Sequence, residues 1–269
     1  MVVDYGISVV QASKVTGVAR STIAYKPKSK DDSVWIELLG ALVERHPGIG
    51  FDKAYHRIRR KGHLINKKKL YRIYTAMGLN IRRRKRKRLP ARVKQALFVP
   101  DGPNKVWSMD FMHDSLWNGK PFRVLNVVDD YNRQALWIEP DTSLPAERVV
   151  RVLNQLKESR GVPAMIRVDN GPELVSIKLD LWCRENGVTL AFIQPGKPTQ
   201  NAFIERFNRT FRTEVLNAYV FRTIREVREH VDTFLLDYNH DRPHEGLANQ
   251  APSDLQTITQ TSSLQLTDF

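Results

Sequence analysis

Three carboxylates in this sequence lie where an unpaired charge is hard to keep. Asp110 interrupts the apolar run "VWSMDFM", Asp169 ends "AMIRVD" just before Asn170-Gly171-Pro172, and Glu205 falls inside "NAFIERFNRTF". An ionised carboxylate in a strand flanked by apolar residues is strongly disfavoured unless something neutralises it. Side chains at the C-terminal end of a strand point into the crevice where α/β sheets hold ligands. The economical neutraliser is a shared divalent cation. Oxygen donors, few histidines and no paired thiols select a hard ion such as Mg²⁺ or Mn²⁺. Three converging acids could hold two ions about 3.5–4 Å apart, the arrangement that drives in-line phosphoryl transfer. Glu205 alone has a plainer reading. Ile204, Phe207, Phe211 and Val215 recur at helical spacing, so Glu205 could be a solvated residue beside a buried stripe. Asp114, Asp129, Asp130 and Glu173 read as turn or cap residues, with a ligand role the lesser alternative. His113 reads as a strand-end histidine, and His46, His56 and His63 lack the paired cysteines of a zinc module.

The substrate class follows from charge. The chain of 269 residues carries 43 Lys and Arg against 29 Asp and Glu, a formal charge of +14. "RRRKRKR" at 82–88 is wholly basic, and Lys67, Lys68 and Lys69 lie upstream. Such density suits a polyanion, because each phosphate neutralised releases condensed counterions; a merely solubilising charge run is the alternative. A basic protein with an acidic metal site points to phosphodiester chemistry on nucleic acid. There is no glycine-rich P-loop, so ATP is not implied. No apolar run approaches the length of a membrane span. The lone Cys183 excludes an internal disulfide, and the expected location is intracellular.

The elements that must position these groups change character along the chain. Residues 7–25 predict two short helices around Thr16-Gly17, with Ala12, Val15, Val18 and Ile23 as a shared core. Ser21 and Thr22 would then sit on a helix able to enter a major groove. Residues 34–79 predict a second helical unit, with Trp35, Leu38, Leu39 and Leu42 as its first apolar stripe and Asn66 capping its last helix. Three lysines in that helix's first turn oppose the macrodipole, a conflict that bound phosphate would relieve and a solvated face would tolerate. Residues 82–104 form a basic, then proline-bearing linker. Beyond it, strands are predicted at 105–113, 122–130 and 134–140, the last two joined by "YNR" as a hairpin. A helix from Pro145 to Gly161, a strand at 164–169, a helix at 177–187, a strand at 188–193 and the Glu205 helix follow. The order predicts a mixed α/β sheet with helices on its faces.

"WSMDF", "RVDNGPE" and "GKPTQNAFIERFNRTFRTEVLN" resemble the Asp-Asp-Glu catalytic core of insertion-sequence transposases and retroviral integrases. Residues 170–204 separate the last two acids, a gap of 35 that matches the superfamily. "YNHDRPHEGL" followed by "APSD", with "FRVLNVVDDYNR" and "HPGIGF", resembles the IS-three family, specifically its second-frame product. The resemblance runs from about residue 7 to residue 255. It implies a ribonuclease-H-like mixed five-stranded sheet flanked by helices and preceded by all-α helix-turn-helix-type modules. It also implies that Asp110, Asp169 and Glu205 bind two Mg²⁺ ions, with Mn²⁺ able to substitute. The implied reaction is nicking at the element's ends and attack by the freed 3′-hydroxyl.

Arg212, seven residues after Glu205 and on the same helix face, matches the family's DNA-contacting basic residue. Asn170, Lys197, Gln200, Asn201 and Asn208 are the next expected DNA contacts. Lys67, Lys68, Lys69, Arg82, Arg83, Arg84, Ser21 and Thr22 are expected to hold DNA further from the reacting phosphate. The implied partners are double-stranded DNA (the element's terminal repeats and a target), a second copy of the chain, and an upstream-frame product. The implied location is the cytoplasm of a prokaryotic-type cell, at the nucleoid.

The expected domains are 1–30 (helix-turn-helix-like), 31–81 (second helical module), 82–104 (linker), 105–222 (catalytic core), 223–258 (C-terminal helix and YN-RPH segment) and 259–269 (a polar, disordered tail). Two rival readings compete with a transposase. A non-catalytic DNA-binding regulator has no use for three convergent acids, and a cellular structure-specific nuclease does not account for "YNHDRPHEGL".

Overall fold

The computed structural model describes residues 6–25, 31–80, 99–169, 171, 174–193 and 201–255. In chain order its elements are α1 (Val9–Thr16), α2 (Arg20–Ile23), α3 (Ser33–Arg45), α4 (Phe51–Arg60), α5 (Lys67–Ala76), β1 (Val106–Ser115), β2 (Pro121–Asp129), β3 (Ala135–Asp141), α6 (Ala146–Arg160), β4 (Met165–Val168), α7 (Ile177–Glu185), β5 (Thr189–Phe192), α8 (Ala202–Phe211) and α9 (Ile224–Leu236). Both α8 and α9 run on into a π-helical turn, Arg212–Leu216 and Asp237–Asp241.

β1 begins with four buried residues in succession, the pattern of a strand covered on both faces. It occupies the centre of the sheet, whose order is β3-β2-β1-β4-β5. β1 pairs with β2, and β2 with β3, antiparallel. β1 pairs with β4, and β4 with β5, parallel. This mixed order is the ribonuclease-H-like arrangement implied by the resemblance, and the hairpin across "YNR" is present.

Alternation along the strands assigns each face its helices. Trp107 and Met109 of β1 join Leu125, Val127, Ile166 and Val168 in a core covered by α6 and α7. Met112, Val124, Val128 and Ile138 face the other way, onto Ile204, Phe207 and Phe211 of α8 and Val227, Val231 and Phe234 of α9. Asp110 shares parity with Met112 and so points toward α8.

The second helical unit has its own core, including Leu39, Leu42, Ala54, Ile58, Leu70 and Tyr74. Asn66 caps α5, accepting from the Lys68 amide. The unit is fastened to the end of α9 by a bidentate pair, Arg57 Nη1 and Nη2 to Asp237 Oδ1 and Oδ2 at 2.7 and 2.6 Å, buried on both sides. Arg60 adds a bond to the His240 carbonyl and an ion pair to Asp254.

The N-terminal pair departs from expectation. Ala12 is buried, but Val15 is 79% and Val18 41% exposed, so the predicted shared core does not close. α2 is a single turn, and a segment this short has too few apolar groups to offset its ordering entropy.

Candidate active site

Asp110 lies opposite Asn126 in the β1–β2 ladder. On its other side, Val106, Trp107 and Ser108 pair with Met165, Ile166 and Arg167 of β4. Two further steps in that register bring Asp110 level with Asp169, the residue just past the end of β4. Parallel neighbours lie about 4.8 Å apart, so strand pairing alone sets two of the three acids side by side.

Glu205 arrives from α8, anchored by Ile204, Phe207 and Phe211, each at most 1% exposed. Phe207 and Phe211 stack on each other, and each meets Phe234 edge-on. Truncating one of these phenylalanines would cost about 3–5 kcal/mol, which makes α8 a rigid mount. The mount is fastened to the site by side chains as well. Asn208, one turn after Glu205, donates from Nδ2 to Asp110 Oδ2 at 2.7 Å, and its Oδ1 accepts from Asn126 Nδ2 at 2.7 Å. The Phe111 amide donates to Asp110 Oδ1 and the Gly171 amide to Asp169 Oδ1.

Electrostatically the site is unbalanced. The Asp110 carboxyl is pushed up to about 6, first by burial. The Phe111 amide opposes the shift, the charges of Asp169 and Glu205 add to it, and the Asn208 bond offsets part of it. No described Lys or Arg pairs with Asp110, Asp169 or Glu205, in a chain of charge +14. Arg167, the cation of the strand that leads to Asp169, is taken by Asp130 at 2.7 Å. Glu205 is exposed and makes no hydrogen bond among the described residues. No group of three or more His, Cys, Asp or Glu side chains among the described residues is gathered closely enough to hold an ion. The three acids share one field without closing into a cage. The donor set is all oxygen and carries no built-in counter-charge, which fits a hard divalent cation.

The other expected site residues separate into groups. Arg212 opens the π-helical turn after α8 and is tied to the protein itself, donating to Asp114 Oδ2 at 2.8 Å and to the His113 carbonyl at 2.6 Å. Asp114 therefore belongs to β1 and an ion pair rather than to a turn. Asn201 is 3% exposed, with Oδ1 lacking a partner among the described residues. Lys67 pairs with Asp52 and Lys69 with Asp32, so acidic neighbours supply the counter-charge that the sequence suggested phosphate would bring; Lys68 is exposed. Ser21 and Thr22 are both exposed on α2. Asn170, Lys197, Gln200, Arg82, Arg83 and Arg84 lie outside the described residues, as do Glu173 and the tail from 256.

Asp129 does shape the hairpin, accepting from the Tyr131 and Asn104 amides. Asp130 does more, burying its carboxylate against Ser108 and Arg167. Sequence reasoning missed Asn126 and took Asn208 for a DNA contact. The available signal was an asparagine inside the apolar strand "RVLNVV", since a buried amide requires a partner.

The chain is similar to known proteins over most of its length. The Integrase core domain family matches over residues 100–198 and, in a second model of that description, over 186–252. The "Insertion element IS407 uncharacterized 31.7 kDa protein" of Burkholderia multivorans is 39% identical over 249 residues, covering 92% of this chain and 90% of that one. The "Insertion element IS476 uncharacterized 39.2 kDa protein" of Xanthomonas euvesicatoria is 33% identical, covering 90% and 70%. The "Transposase for insertion sequence element IS904" of Lactococcus lactis is 24% identical, covering 69% and 72%. With integrase-core matches across the sheet and insertion-element relatives along nearly its whole length, the chain belongs to the integrase-core transposases of insertion sequences, proteins of DNA transposition and integration.

Proposed function

We propose that this chain cuts a DNA phosphodiester at the element's end and joins the freed 3′-hydroxyl to a second phosphodiester, with Asp110, Asp169 and Glu205 as the ligands of two Mg²⁺ ions. The observation that carries the reading is the Asp110 carboxyl, raised to about 6 beside two further acids with no described cation paired to any of the three. When bound, the ions would activate the attacking oxygen and stabilise the leaving one.

The chain's own part is placement. The Phe111 amide and Asn208 hold the two oxygens of Asp110 in fixed directions, and Asn126 fixes Asn208 in turn. Glu205, exposed on a rigid helix, is free to close on the other two acids. Asp110 and Asp169 on adjacent strands fix the floor of the site, and α8 supplies its wall. Arg212, tied to β1, braces the end of α8 and carries a partly exposed cation there. A regulator without catalysis would have no use for three acids left unneutralised, one of them with its charge opposed by burial.

Double-stranded DNA is the substrate class that fits both the chemistry and the charge, and joining two DNA sites favours at least two copies of the chain on DNA. The narrower IS-three assignment rests on "YNHDRPHEGL" and its neighbours. Incubation of the protein with Mg²⁺ and DNA carrying the element's ends should yield nicked and joined products, and Asp110→Asn should abolish both. Undiminished products from Asp110→Asn would remove the assignment.

A further inference from the structure

α8 has a third face that the proposed reaction does not use. Glu205, Asn208 and Arg212 lie on one flank of its buried stripe, while Phe203, Arg206 and Thr210 lie on the other, roughly 100–160° round from Glu205. That second flank lines a cavity of about 280 Å³, whose walls come from four parts of the chain. They include Lys53 of α4, Arg133 of the β2–β3 connection, Arg206 and Phe203 of α8, and Arg242 with His244 of the segment after α9, where one acid, Glu245, also reaches the rim.

Four cations converge there, and their environment is unusual. Lys53 forms no ion pair or hydrogen bond with a described residue, and burial followed by the Arg242 charge pulls its ammonium down to about 8. Arg133 has a left-handed backbone, φ 63°, which a bulky side chain seldom adopts. Its guanidinium lies 3.3 Å from the centroid of the Phe203 ring. Nη1 donates to the Tyr131 carbonyl, and no acid among the described residues comes within ion-pair distance of it. Arg206 is exposed and only loosely approached by Glu245, at 3.6 Å. Arg242 alone is well paired, with Glu214. His244 adds a buried Nε2 with no partner among the described residues, and burial pulls the ring down to about 3, so it contributes no charge of its own.

A chain does not crowd like charges in a partly buried cavity without cost, and an anion is what relieves it. Flat guanidinium forks beside an aromatic wall suit a tetrahedral oxyanion. The geometry points to this cavity as a second phosphate-binding site, one that seats a phosphodiester of the DNA backbone on the side of α8 away from the carboxylates. This rests on the DNA-processing reading above and adds a place where the duplex is gripped apart from the reacting bond. It also gives "YNHDRPHEGL" a role, since Arg242 and His244 bring that segment to the cavity, and Lys53 brings the second helical unit. DNA bound there would join both to the catalytic sheet.

The test is the salt dependence of binding to an arbitrary duplex in metal-free buffer, so that no cleavage intervenes. For Lys53→Gln/Arg206→Gln, losing one phosphate contact should lower the slope of log K against log salt by about 0.9 and weaken binding about eightfold at roughly 0.1 M salt. Arg184→Gln, a charge removed from α7 across the sheet, should leave the slope unchanged. Thermal unfolding checks that the double variant is intact, and Arg206→Gln alone, at an exposed position, serves if it is not. A slope indifferent to both substitutions overturns the site. So does inorganic phosphate that raises the melting temperature of the wild type and not of the double variant while the DNA slope stays put, because the cavity would then take free anions only. A chain that bound no duplex at all would instead sink the DNA-processing reading, so the two failures are distinguishable.

Discussion

Two aspartates at one sheet, the half-buried Asp110 and the buried Asp130, start from the same predicament and resolve it differently. Burial is the first cause that pushes each carboxyl up to about 6. Asp130 then contacts Ser108 and Arg167, and these together with the more distant charge of Arg133 favour its ionised form. Asp110 meets Asp169 and Glu205, which oppose it further. The cation that Asp130 needs is built into β4, whereas Asp110 has none among the described residues. A buried acid with a fixed counter-ion is a structural joint, and one surrounded by more acids is, on the function proposed here, a place for a cation that comes and goes. The sheet sorts them by position: Arg167 sits one residue short of the end of β4, and Asp169 lies just past it.

The sharpest way to break this contrast is to neutralise the unpaired set. Glu205→Gln should lower cleavage and joining by more than about a hundredfold, the upper range for losing a group that merely orients a metal ligand, as read from labelled element-end DNA. A smaller loss should follow when the ligands remain but their support goes. Asn208→Ala should reduce the rate about 10- to 100-fold, with melting temperature nearly unchanged, in a time course at saturating Mg²⁺.

The paired set should respond in stability rather than rate. Arg167→Met would leave Asp130 buried without its counter-ion and cost about 3 kcal/mol, measured by urea unfolding. The sign with pH is fixed by the raised carboxyl: its contribution is present below the unfolded value and lost as pH rises through about 6. The deficit should therefore deepen above that pH. The smallest effect is the mirror image. Asp110→Asn removes a carboxylate whose ionisation the fold opposes, so the metal-free protein should gain about 1–2 kcal/mol after allowance for its partial exposure. An equal loss of stability in both variants would erase the distinction between the two centres.

What could be read in advance was what period and type encode. The strands, the "YNR" hairpin and the stripe Ile204-Phe207-Phe211 all followed from alternation and helical spacing, and the acids stood out against apolar neighbours. The partners did not. Asn208 reaches Asp110 across 98 residues of chain, and Arg133 reaches Phe203 across a sheet-to-helix gap. Such pairings are fixed by packing, which leaves no local mark. Val15 and Val18 show the opposite error, since a helical pattern at 7–25 promised a core that the fold leaves open. The three lysines of α5 showed a charge conflict correctly, but Asp52 and Asp32, the acids that answer two of them, come from other parts of the helical module.

The central claim is that Asp110, Asp169 and Glu205 act as one cation site. Mn²⁺ titrated into the purified chain and followed by the loss of its free-ion electron paramagnetic resonance signal tests this without any DNA or turnover. Binding in the wild type that is weakened in each of Asp110→Asn, Asp169→Asn and Glu205→Gln, and retained in Asp114→Asn, is the predicted result. Binding that survives unchanged in all three would contradict the account.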